Sequence, residues 1–110
     1  MSRPDKVYLQ DILEAIEIIL TYTANKTEFE FVNDQMLQDA VIRRFEIIGE
    51  ASTKISEDIK DKNSEVQWRL MKGMRNKLIH EYFGVSAITI YSTIKFDLPI
   101  LKEQLENLVY

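Results

Sequence analysis

The chain has 110 residues, a formal net charge of -4, one histidine and no cysteine. The absence of cysteine excludes a disulfide framework and a thiolate zinc site, and one histidine makes a His-based metal site a poor reading. The acidic balance argues against broad, non-specific nucleic-acid binding but does not bear on a local basic site.

The opening run, MSRPDKVYLQDILEAIEIIL, is interrupted by Asp11, Glu14 and Glu17, so it reads neither as a signal peptide nor as a membrane span. A soluble, cytoplasmic protein is expected. Three glycines and two prolines are the only strong punctuation, and apolar residues recur at helical spacing. The expected class is therefore all-α, one domain over residues 1–110, long enough to bury roughly 60 to 70% of its unfolded surface.

The first helix is predicted from Asp5 to Ala24, opened by Pro4 and carrying a stripe of Leu9, Ile12, Leu13, Ile16, Ile19 and Leu20. A connector from Asn25 to Val32 is expected to tuck Phe29 and Phe31 beneath the bundle. Asn33 or Asp34 then caps a second helix to about Ser56, with Leu37, Val41, Ile48, Ala51 and Ile55 inward. Asp58 to Asn63 reads as a charged loop. Ser64 is the expected cap of a third helix from Glu65 to Tyr82, ended by Gly84. A fourth, from Ala87 to Leu108, faces Ile88, Tyr91, Ile94, Leu98, Leu101, Leu105 and Leu108 inward and is expected to kink near Asp97 because Pro99 lies inside it.

Two arginines lie on apolar stripes. Arg44 falls within the Leu37 to Ala51 stripe, and Arg75 within an arc of Trp68, Met71, Met74, Leu78, Ile79 and Tyr82. An unpaired buried guanidinium costs several kcal/mol. Each must meet a carboxylate such as Asp39, Glu46 or Glu50, reach water along its stem, or face an anion. The third choice makes the arc of the third helix partly an interface with a second subunit.

The sole histidine, His80, lies five residues beyond Arg75 and is rotated by roughly 140°, which sets it with Arg69, Gly73, Asn76 and Lys77 on the polar side. Between Trp68 and His80 lie Arg69, Lys72, Arg75 and Lys77 and no acidic residue. An imidazole moves protons near neutral pH, and a guanidinium stabilises a phosphate gaining charge. Joint action on one phosphate requires a helix distorted near its Gly84 end, a long sweep of the Arg75 side chain, or groups from two chains. Taken singly, His80 as a cap, Tyr82 as a core residue and Asn76 as a solvated position are the ordinary structural readings.

The run RNKLIHEY, Arg75 to Tyr82, resembles the signature of the HEPN superfamily, and more narrowly that of its HepT-like toxin branch, with Arg75, Asn76, His80 and Tyr82 at the motif positions. AVIRRFEIIGEA (40–51), VQWRLMKGM before the motif and FGV after it extend the similarity over most of the chain.

The resemblance implies a HEPN-like antiparallel four-helix bundle that forms a homodimer, its two motifs facing across a cleft. It implies a metal-independent endoribonuclease without a cofactor, partnered by an MNT-type nucleotidyltransferase antitoxin that silences it by transferring AMP to Tyr82. On that reading His80 and Arg75 are catalytic, while Asn76, Lys77 and Arg69 support RNA binding. The alternative is a non-catalytic HEPN module that binds nucleotide or RNA, or scaffolds the nucleotidyltransferase.

Overall fold

A computed structural model of the chain describes the backbone of residues 4–80 and 86–110, and the side chains of 4–75 and 86–110. The described residues are helical or in short turns, with no strand among them. Helix α1 (Asp5–Thr23) buries Leu9, Ile12, Ala15, Ile16, Ile19 and Thr23, the three- and four-residue spacing expected of an amphipathic helix. At its start the Asp5 carboxylate accepts from the Ser56 backbone N–H at 2.9 Å and from the Ser56 hydroxyl at 2.7 Å, 51 residues away.

The expected connector contains a short helix, α2 (Glu28–Val32). It forms because Thr27 and Glu30 make a reciprocal cap: the Glu30 N–H donates to Thr27 Oγ1 at 3.1 Å, and the Thr27 N–H donates to Glu30 Oε1 at 3.0 Å. The two phenylalanines part company. Phe31 is fully buried and its ring lies 5.7 Å from that of Tyr91, whereas Phe29 is 76% exposed. Their spacing of two sets them on nearly opposite sides of one helical turn, so only one can face the core.

Helix α3 (Gln35–Lys54) is capped by Asp34, whose carboxylate accepts from the Leu37 N–H at 3.0 Å. It is the central element, packing against α1 and against α5 (Trp68–His80). The segment expected as a charged loop is instead α4 (Glu57–Lys62), capped by the Ser56 hydroxyl. Its one buried residue is Ile59, with Asp58, Asp61 and Lys62 exposed, so charge alone hid a single-turn amphipathic pattern.

Asn63, expected in that loop, is fully buried. Its Nδ2 donates to the carbonyls of Ile59 at 2.9 Å and Val109 at 2.6 Å, and its Oδ1 accepts from the Val109 N–H at 2.7 Å. Its own carbonyl accepts from the Trp68 indole N–H at 3.0 Å and from the Val66 N–H at 3.1 Å. This turn occupies residues 63–67, so α5 starts at Trp68 and not at Glu65, and Ser64 is not its cap. The predicted end of this helix at Tyr82 and Gly84 falls outside the described residues.

The last helix is one run in three parts: α6 (Ala87–Ser92), a π-helical turn (Thr93–Asp97) and α7 (Leu98–Glu106). The interruption expected near Asp97 is that π turn. The Leu98 N–H donates five residues back to the Thr93 carbonyl, which widens the helix just before Pro99, where a proline ring would crowd an α-helical carbonyl. The extra residue rotates the upstream face by one position. Ile90 is buried and Ala87 packs against the core, while Ile88, expected inward, is 53% exposed. No described helix is long and apolar enough to cross a membrane.

Candidate functional site

Arg75 stands where α5 presses closest on α3. A β-carbon built on Gly49 of α3 would lie 2.7 Å from the Arg75 backbone nitrogen and 2.9 Å from its Cα, distances that no real side chain tolerates. The glycine therefore lets the two backbones meet. One residue further along α3, Glu50 presents Oε2 to Arg75 Nε at 3.1 Å. The guanidinium thus lies between core and water, its side chain 38% exposed and that of Glu50 53% exposed. Of the three expected resolutions for an arginine on an apolar arc, two are present together: a carboxylate partner, which is Glu50, and a reach to water.

The neighbouring apolar positions behave as the arc requires: Met71 is fully buried, Met74 is 6% exposed and Trp68 is half-buried. Arg69 and Lys72 are exposed. Arg44 is half-buried on α3, in keeping with a long stem lying on the core. Asn76, Lys77 and His80 belong to α5 by their backbone, but their side chains, and all of Tyr82, lie outside the described residues.

The backbone still settles one point. Helix α5 continues through His80 without interruption, so the Cα positions of Arg75 and His80 keep their separation of roughly 140° about the axis. The distortion expected near the Gly84 end of the helix lies outside the described residues.

The sequence reading missed Gly49 as a determinant of the site and left Glu50 as one of three candidate partners. A signal was available. Glycine within a helix is costly, and a glycine flanked by an inward-facing Ile48 and an acidic Glu50 marks a close helix crossing with a charge at its rim.

The described residues are thus all-helical, with an arginine seated at the crossing of two core helices at the head of an RNKLIH run. The family model described as Ribonuclease HepT-like matches residues 12–108, and the chain belongs to that family. A Thermococcus cleftensis protein named as a ribonuclease HepT is 48% identical over 108 residues, covering 98% of each chain. A Methanocaldococcus jannaschii protein named as an RNase, MJ1216, is 40% identical over 108 residues, which are 98% of this chain and 89% of that one. A second protein of that organism, whose name pairs a gamma-glutamylcyclotransferase with an RNase, is 44% identical over 105 residues, 96% of this chain and 47% of its own length. No solved structure matches the chain.

Proposed function

We propose that this chain is a metal-independent endoribonuclease, the toxin of a HepT/MNT-type toxin–antitoxin pair, built as a single domain over residues 1–110. The observation that carries the reading is the setting of Arg75. A core-facing position in a ribonuclease-family chain is given to a guanidinium that Glu50 tethers and that stays in reach of solvent, on a backbone that Gly49 lets close against α3.

In the proposed reaction the 2′-hydroxyl of the substrate loses its proton and attacks the adjacent phosphorus, the P–O5′ bond breaks, and the leaving oxygen takes up a proton. His80 moves the proton, and Arg75 stabilises the charge that gathers on the non-bridging oxygens. Asn76 orients the phosphate, while Lys77 and Arg69 attract the strand on either side. Because α5 holds Arg75 and His80 on different sides, the working unit is a homodimer of antiparallel four-helix bundles whose two motif helices share one cleft. The imidazole of one chain then serves beside the guanidinium of the other.

The nucleotidyltransferase partner transfers AMP from ATP to the Tyr82 hydroxyl with release of pyrophosphate. The added phosphate and adenosine block the cleft and offset its positive charge. Both proteins act in the cytoplasm.

The test is growth and chemistry together. Induced wild-type chain arrests growth and cleaves RNA with EDTA present; Arg75→Ala and His80→Ala each restore growth while keeping the wild-type circular dichroism spectrum. Mutants as toxic as the wild type end the proposal. Mass spectrometry of chain co-expressed with its nucleotidyltransferase checks the Tyr82 adduct.

A further inference from the structure

Two glycines lie inside described helices, and the described residues explain only one of them. Gly49 is required by the Arg75 backbone, whereas a β-carbon at Gly73, in the middle of α5, would have nothing within 4 Å among the described residues. Glycine is the poorest helix former after proline. A mid-helix glycine that no described neighbour requires is explained by an outside group that comes close to the backbone there.

The register of α5 says which group. Arg69, Lys72, Gly73 and the Cα positions of Asn76, Lys77 and His80 share one side of the helix, within an arc of roughly 140°. Arg69 and Lys72 are exposed. Along the axis Arg69 lies about 6 Å before Gly73, and His80 about 10 Å after it.

We infer that Gly73 is the point at which the backbone of a single-stranded RNA crosses α5, a subsite next to the scissile position in which Arg69 and Lys72 take the neighbouring phosphates. The inference rests on the ribonuclease reading and deepens it. Charge selects the occupant. A second copy of α5 laid on this face across a two-fold axis would set Arg69 and Lys72 against the same cations, whereas a phosphodiester strand brings the opposite sign. A sugar–phosphate chain also suits a helix face that lacks one side chain next to two exposed cations.

The test uses full-length Gly73→Ala and Gly73→Leu with a fluorescein-labelled twelve-nucleotide oligouridylate and the dinucleotide UpU. Binding of the oligomer, read by anisotropy, weakens from Gly to Ala to Leu, by about tenfold for Gly73→Leu, and its KM rises in step. Cleavage of UpU, which need not reach Gly73, stays at the wild-type rate, and sedimentation velocity is unchanged. Wild-type affinity for the oligomer in Gly73→Leu overturns the inference. So does a change in association state, which would assign this face to a second copy of the chain. If Gly73→Leu loses the helical spectrum, Gly73→Ala carries the comparison. Should the wild type cleave no RNA, the ribonuclease reading fails, while the anisotropy series still decides the subsite.

Discussion

Gly49 and Arg75 touch backbone to backbone: the arginine's nitrogen and Cα occupy the space in which any side chain at position 49 would begin. The position of the Arg75 backbone is thus set from the opposite helix, by an atom that is absent. Because α3 is buried along this face, with Val41, Phe45, Ile48 and Ser52 beside Gly49, neither helix can move aside freely.

Gly49→Ala is therefore expected to destabilise the fold although alanine is the better helix former. Overpacking of a close crossing costs about 1–3 kcal/mol, which outweighs a propensity gain of roughly 1 kcal/mol. Urea denaturation should show a lower midpoint. RNA cleavage should fall further than the loss of folded protein accounts for, because Arg75 shifts with α5. A variant as stable and as active as the wild type would refute the account of the crossing.

Glu50→Gln separates positioning from stability. Both partners are well exposed, so loss of the pair should change stability by no more than about 1 kcal/mol. Loss of the carboxylate that tethers Arg75 should nevertheless lower kcat by about tenfold with little change in KM. Combined with Arg75→Ala it should add nothing further, since the tether has then lost its object. Additive losses would mean that Glu50 acts elsewhere.

Asn63 is the converse case, a residue of the fold and not of the site. Asn63→Ala removes three side-chain hydrogen bonds, two of them to the Val109 backbone, and opens space beside Ile59. A loss of about 2–3 kcal/mol is expected, read as a lower melting temperature. Below that temperature kcat should match the wild type. An unchanged melting temperature would show that the C-terminal segment is not held by this residue.

A pH dependence is expected at the Thr27–Glu30 cap. The Glu30 carboxyl is held below its ordinary value of 4.5 by the hydrogen bond from the Thr27 backbone, then by that with the Thr27 side chain. A depressed carboxylate stabilises the folded state above its unfolded value, and the contribution fades as pH falls through the lower folded value. The difference in unfolding midpoint between wild type and Glu30→Ala should be constant near neutrality and shrink below about pH 4.5. The same difference at every pH would assign it to helix propensity alone.

The long helices, the inward stripes of α1 and α3 and a cap at Asn33 or Asp34 could be read from residues close together in sequence, because they depend on helical periodicity and one-turn hydrogen bonds, whereas of Phe29 and Phe31, both expected inward, only Phe31 is buried. The motif run and the IGEA segment likewise led to the family. Charge misled at Glu57–Lys62, where five charged residues concealed a capped turn around Ile59. Proline pointed to the right place near Asp97 but not to the π turn, and that one added residue turned Ile88 outward and Ile90 inward.

Local order in this chain thus follows from spacing, capping chemistry and propensity, all written within a few neighbouring residues. Partners distant along the chain required the assembled fold: Glu50 rather than Asp39 or Glu46 for Arg75, Gly49 beneath it, Asn63 clasping Val109, and Asp5 bonded to Ser56. Periodicity says which face of a helix is buried. Which residue of another helix arrives opposite depends on how two surfaces slide and rotate until their backbones meet, and that is a property of the packed helices together.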